Sequence, residues 1–299
     1  MFTQSKRLDT LINRRSESKW QQFLNKPCLF LAKAIYSLCL RDHRAKTGSF
    51  ISVVCISDTH NRKIDVPDGD VLIHAGDATQ SGTLDEFQST LDWLSTLPHQ
   101  HKVMIGGNHD MLLDSNLASF NSKAYNAICW REIQYLDNEA ITLKVKGDRE
   151  VKIYGSPYTP RYGNWAFQYS RSRDVWENTL PDDLDILVTH GPPKAHLDLW
   201  FGCESLLREL WRTKPRLHVF GHIHAAYGQE LLEYDGLQKA YEATTTTGGG
   251  IWDVFRALYE AVLKKVRPPR KGPSTLLVNA AIVGGYRDEK RRRPVVVHL

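Results

Sequence analysis

Five short β-branched runs in this 299-residue chain each break off into a small polar string carrying aspartate, asparagine or histidine. Residues 51–56 lead to Asp58-Thr59-His60, and 71–74 lead to Gly76-Asp77. Residues 102–105 lead to Gly107-Asn108-His109-Asp110, and 185–188 to Thr189-His190-Gly191. Residues 217–220 lead to Gly221-His222-Ile223-His224. One aspartate after a strand is ordinarily a turn residue or a helix cap. One buried histidine is ordinarily a hydrogen-bonded core residue. Five such strings, each at the exit of a strand, describe instead a metal centre built along one edge of a sheet. Any fold for this chain must bring those exits together.

The runs themselves read as strands buried on both faces, because they are nearly continuous in apolar, β-branched residues. Further runs fall at 151–154, 275–278 and 294–298. Helical patterns alternate with them. Leu84, Phe87, Leu91, Leu94 and Leu97 recur at three or four residues, as do Cys203, Leu206, Leu207, Leu210 and Trp211. Strand–helix alternation predicts an α/β layered domain. His74 and His218 sit inside strand runs and read as core residues. His99 and His101 flank a helix end and read as surface.

Charge is segregated along the chain. Residues 1–47 hold ten lysines and arginines against three acids, and 262–299 hold ten against two. The stretch between them holds nineteen against twenty-nine, and every candidate ligand lies in that acidic middle. The basic ends read first as solvated tails, with contact to anionic lipid or nucleic acid as the alternative. The five cysteines show no CxxC spacing, which argues for a reducing compartment and against a disulfide framework or a zinc ribbon.

Two segments stand apart from the layered pattern. The basic segment 1–47 contains the apolar stretch 27–40, which is short and carries Lys33. It reads as a docked or mobile helix, with a signal-anchor fragment or an amphipathic helix lying on a membrane as the alternatives. The domain proper is expected over 48–299, with an insertion at about 236–272. There the Thr/Gly-rich string 244–250 reads as a flexible loop. It leads into 251–266, where Trp252, Phe255, Leu258, Tyr259, Val262, Leu263 and Val266 trace a helical stripe expected to pack on the domain flank, with a substrate lid or partner site as the alternatives.

A two-metal hydrolase needs two divalent ions about 3.5–4 Å apart, a bridging oxygen ligand, and open positions for water and a phosphoryl oxygen. Carboxylate bridges well, and imidazole and amide oxygen complete each shell. Asp58, His60, Asp77, Asn108, His190, His222 and His224 supply such a set, with a glycine beside most of them for close approach.

The ordered strings DTH, GD, GNHD, THG and GHIH resemble those of the calcineurin-like metallophosphoesterase superfamily. The strings HAGD at 74–77, YGSPYTPRYGNWAF at 154–167, THGPP at 189–193 and PRLHVFGHIH at 215–224 resemble its metallophosphoesterase-domain branch of phosphodiesterases. The resemblance spans about 51–228 and the closing strands, and is absent at both ends. It implies an α/β/β/α sandwich of four layers with the metals at the carboxyl ends of the strands. It implies Asp58, His60, Asp77 and His224 on one ion, and Asp77, Asn108, His190 and His222 on the other. His109 is implied as the substrate-facing general acid or charge stabiliser, with Asp110 orienting it. Some members of the branch lack the histidine that stands here as His222.

These readings together lead to a dinuclear phosphoesterase, a phosphodiesterase before a monoesterase, acting through a hydroxide held between two ions of Mn, Fe or Zn. The expected substrate is a small phosphate ester or nucleotide. Tyr158, Trp165 and Phe167 offer a surface for a nucleobase, with loop packing as the equal alternative. No specific nucleic acid is expected. The expected location is cytoplasmic, with peripheral membrane contact through 1–47 as the alternative to docking. A non-catalytic scaffold of the same fold and a nuclease are the rival functions. The intact ligand set weighs against the first and the acidic middle against the second.

Overall fold

The computed structural model describes residues 18–40, 51–266, 272–284 and 289–299. The rest of the basic segment, 1–17 and 41–47, and the last part of the insertion, 267–271, lie outside the described residues. The chain divides into two compact units. Arg44–Gln229 with Leu276–Leu299 form the larger, and Met1–His43 with Glu230–Thr275 form the smaller.

Numbered along the chain, the strands begin with β1 (Ser52–Ile56), β2 (Val71–Ala75), β3 (His101–Ile105), β4 (Ile133–Leu136), β5 (Glu139–Val145) and β6 (Arg149–Ser156). The two-residue β7 (Thr159–Pro160) and β8 (Gln168–Tyr169) follow, then β9 (Ile186–Thr189), β10 (Leu217–Phe220) and β11 (Gly228–Glu233). The last are β12 (Ser274–Asn279), β13 (Val283–Gly284), β14 (Lys290–Arg291) and β15 (Val295–His298).

In the larger unit one sheet has the order β15-β1-β2-β3-β4, with β1 to β4 parallel and β15 antiparallel at the edge. The second runs β12-β10-β9-β6-β5, with β6, β9, β10 and β12 parallel and β5 antiparallel. Period-2 alternation sends Val53, Cys55, Val71, Ile73, Val103 and Ile105 of the first sheet into one core with Ile153, Ile186, Val188, Leu217, Val219 and Val278 of the second. The alternate residues of the first sheet, Val54, Ile56, Leu72 and Met104, face outward onto Phe87, Leu91 and Leu94. Those three belong to the helix Leu84–Ser95, which starts at a capping box between Thr83 and Glu86. Each such side chain contributes about 1.5–3 kcal/mol on burial.

On the second sheet's side, the helix Glu204–Thr213 buries Leu206, Leu207 and Leu210, and the Cys203 thiol caps its first turn by accepting from the Leu206 N–H. The four layers are those of the α/β/β/α sandwich. The sequence pattern does not mark β4 and β5 as strands. β5 pairs along an edge with only Leu143 and Val145 buried, so its polar half hides the strand signal. His99, expected at the surface, is buried, and its Nε2 meets the Pro67 carbonyl at 3.0 Å.

The smaller unit is helical. The helix Lys19–Asn25 begins with a Ser18–Gln21 capping box, and Pro27–Cys39 follows with Leu29, Ala32 and Tyr36 buried. Tyr36 stacks on Tyr241, ring centroids 4.2 Å apart, and donates to Gln238 Oε1 at 2.6 Å. The apolar stretch 27–40 therefore docks on Gly236–Thr247, the first helix of the insertion. The threonines expected in a flexible loop are the last turn of that helix. Thr244 donates back to the Ala240 carbonyl, and Thr245 and Thr246 to that of Glu242. This bonding satisfies the hydroxyls within the helix. Gly248 ends it at φ +84°, a left-handed cap that favours glycine. The helix Ile251–Val266 follows. Among the described residues, no helix is long and apolar enough to cross a membrane.

Candidate metal centre

Because β1, β2, β3, β9 and β10 all run parallel within their sheets, their carboxyl ends deliver the five polar strings to one edge of the sandwich. The exits are tightly wound. Asp58, His60, Asp77 and His222 all have positive φ, between 44° and 64°. Such conformations cost of order 1–3 kcal/mol each for residues with a Cβ, and persist where the surroundings hold them. Glycines give the needed room. A Cβ at Gly221 would strike the Asp58 carboxylate, and one at Gly107 would strike that of Asp77.

The donor atoms fall into two clusters that share one residue. Asp58, His60, Asp77 and His224 offer ligand atoms all within 4.8 Å of one another, and so do Asp77, His190 and His222. Asn108 Oδ1 lies 3.1 Å from His190 Nε2, which adds an amide oxygen to the second cluster. In Asp77 the two oxygens divide their work. Oδ1 accepts the His109 backbone N–H at 2.7 Å, while Oδ2 faces His190 Nε2 at 3.3 Å and His60 Nε2 at 3.9 Å. The expected bridge is thus offered chiefly by one oxygen, with the other tied to the neighbouring loop.

The ring nitrogens are set by carbonyls behind them. His60 Nδ1 meets the Thr79 carbonyl at 3.1 Å and His190 Nδ1 that of Ala75 at 2.9 Å. A carbonyl only accepts, so each Nδ1 carries a proton and each Nε2 is turned into the cluster, where the ring would offer its lone pair to a bound cation. His60 Nε2 and His224 Nε2 stand 3.4 Å apart, and His224 Nε2 is 3.1 Å from Asp58 Oδ1.

Electrostatics tests whether cations fit. Burial works to raise the Asp58 carboxyl, but His224 and His190 outweigh it and hold it far below its usual range. Asp77 is driven down in the same way, against burial, by His190, His109 and His60. Burial works against charge on His190 too, yet Asp77 and Asp58 lift its ring to about 9. His222 follows burial, down to about 3. Two buried carboxylates thus favour positive charge within the clusters. Divalent ions supply that charge, and the mixed nitrogen, carboxylate and amide donors suit them. The residues fit the group.

Of the remaining expected residues, His109 lies outside both ligand clusters, half-buried, with Nδ1 on the Gln80 carbonyl at 2.8 Å. Its ring meets His60 edge-on at 4.8 Å and stacks on Trp165 at 4.4 Å, planes 30° apart. Asp110 does not orient it. The fully buried Asp110 carboxylate accepts from the N–H groups of Ala78, Thr79 and Gly107 and from the Thr79 hydroxyl. It ties the Asp77 loop to the Asn108 loop, and burial together with Asp77 raises its pKa to about 6. The orienting partner of His109 is Gln80. Phe167 is a core residue, 3% exposed beneath Gly106, and cannot meet a base. Tyr158 is half-buried against Tyr169. Trp165, at 37%, is the one exposed ring of the three.

Three features went unread in the sequence. His74 Nε2 meets the Thr59 hydroxyl at 2.9 Å, and His218 Nε2 meets that of Thr189 at 2.8 Å. Each buried strand histidine thereby braces a threonine beside a ligand, once in each sheet. Arg292 is the third, donating to the carbonyls of His224, Ala281 and Val283. The threonine–histidine pairs carry a faint signal, since each threonine directly adjoins a ligand residue within its string. Arg292 carries none.

Residues 51–226, more than half of the chain, match the calcineurin-like phosphoesterase family model. The chain belongs to that family. It is 38% identical over 61% of its length to metallophosphoesterase domain-containing protein 1 of Homo sapiens, spanning 63% of that protein, and the Mus musculus protein of that name matches equally. It is 43% identical over 98% of its length to the probable rhamnogalacturonate lyase C of Emericella nidulans, spanning 29% of that protein. The chain therefore spans less than two thirds of each of these curated relatives.

Proposed function

We propose that the chain is a metal-dependent phosphodiesterase acting on a small phosphate ester or nucleotide. The observation that carries the reading is His109. It stands beside the two ligand clusters without belonging to either, its Nδ1 fixed on Gln80 and its ring backed by Trp165.

Asp58, His60, Asp77 and His224 would hold one divalent ion, and Asp77, Asn108, His190 and His222 the other, with Mn, Fe or Zn suited to the donors. Bound ions supply Lewis-acid stabilisation of phosphoryl oxygens and lower the pKa of water. With Nδ1 on Gln80, the His109 ring in its protonated form presents Nε2–H to a phosphoryl or leaving oxygen. It there donates a proton or stabilises charge. The Asp77 Oδ1 bond to the His109 N–H fixes that loop against the ligand set. Arg292 is committed to three backbone carbonyls and braces the exit that carries His224. The resemblance of the strings at 154–167 and 215–224 to the phosphodiesterase branch favours a diester over a monoester.

The test is metal-reconstituted enzyme assayed on bis(p-nitrophenyl) phosphate, p-nitrophenyl phosphate and cyclic nucleotides. Diester kcat/KM should exceed monoester kcat/KM. The reverse order makes the chain a monoesterase, and no activity on any ester favours the scaffold reading.

A further inference from the structure

The helix Ile251–Val266 is amphipathic in the opposite sense from a packed surface helix. The stripe expected to lie on the domain flank faces outward. Trp252 is 80% exposed, Tyr259 62%, Phe255 55% and Val266 77%, with Leu258 and Val262 about half exposed. The residues it buries are small: Val254, Ala257 and Ala261. At 3.6 residues per turn the outward apolar residues fill a continuous arc of about 120°. Exposed Lys265 borders one side of this arc and exposed Arg256 the other. Asp253 and Glu260 fall beyond Arg256, off the apolar arc. Immediately after the helix the sequence adds Arg267, Arg270 and Lys271.

We propose that this helix docks on the surface of an anionic lipid bilayer, its aromatic arc in the headgroup–acyl boundary and its basic edges on the lipid phosphates and carboxylates. Trp, Tyr and Phe on one face with Lys and Arg at its margins is the composition such interfacial helices use. Both margins are cationic, so a second copy of the chain seated on the arc would set like charges against each other in either orientation. Anionic lipid meets both margins with opposite charge. The helix is too short and too charged to cross the membrane, so it lies on it. The helix Pro27–Cys39 of the basic segment packs against this same helix.

Cosedimentation of the full chain with vesicles of phosphatidylcholine alone, or mixed with phosphatidylserine, tests this. Binding is expected to the mixed vesicles and to weaken with salt. Trp252→Ser with Phe255→Ser should lower partitioning by roughly tenfold or more, from the transfer of two rings. Arg256→Gln with Lys265→Gln should weaken binding to the anionic vesicles selectively. Unchanged thermal melts show that the variants fold, as expected for exposed positions. Failure of the full chain to bind mixed vesicles overturns the proposal, as does equal binding by the aromatic variant. A solution dimer that the aromatic variant dissociates also overturns it, because the arc then belongs to a second copy.

Discussion

The indole of Trp165 lies against the imidazole of His109, ring centroids 4.4 Å apart and planes 30° from parallel. With the Gln80 carbonyl on Nδ1, this fixes the ring in both tilt and rotation. This geometry favours Trp165 as a residue that positions His109 rather than as a platform for a base. Trp165→Ala should lower kcat about ten- to a hundredfold on nucleotide and non-nucleotide diesters alike, since small misplacements cost that much. Metal content and KM should change little, and Trp165→Phe should restore most of the rate. A rise in KM confined to nucleotide esters would show instead that the indole stacks on a base.

His109 itself separates binding from chemistry. His109→Ala should retain its metals yet lose about 10²–10⁴-fold in kcat on an alkyl diester. Metal analysis beside steady-state kinetics checks both halves. Unchanged turnover on that substrate would remove His109 from the reaction.

Asp110 is a loop tie. Asp110→Asn turns an amide NH₂ toward groups that only donate, Ala78, Thr79 and Gly107 among them. A loss of about 2–3 kcal/mol in unfolding free energy is expected, from charge-assisted bonds replaced by unsatisfied donors. Metal affinity should fall about 10- to 100-fold, as for other residues that hold ligands in place. Denaturant melts and metal titration measure the two effects.

Buried His218 gives a pH signature. Burial holds its pKa down to about 3, against about 6.5 for an unperturbed ring. Above about 6.5 neither state is protonated. As the pH falls from there toward 3 the unfolded chain takes a proton that the folded one refuses, so stability falls by up to about 1.4 kcal/mol per pH unit. His218→Asn should flatten the acid limb of stability against pH by one proton over that window. An unaltered slope would show that His218 is protonated in the folded state.

What the sequence revealed and what it hid follow one physical line. Ligands at strand exits were legible because the chemistry is written next to each run and parallel strands carry it to one edge. Contacts made by register were not. That Thr59 meets His74 depends on β1 lying beside β2, where Ile56 is opposite His74. Trp165 and Phe167 are two residues apart and chemically alike. Phe167 turns into the core at φ 55°, which no side-chain pattern announces. The periodicity of 251–266 defined an apolar face but not which side meets solvent, since that depends on what else packs there.

Asp77 belongs to both clusters of candidate ligand atoms, and its proposed place is between two ions. Metal analysis of reconstituted wild type and Asp77→Ala tests it most directly. Wild type should hold two ions per chain and Asp77→Ala neither, at equal protein fold by circular dichroism. Full stoichiometry in Asp77→Ala would contradict the shared site.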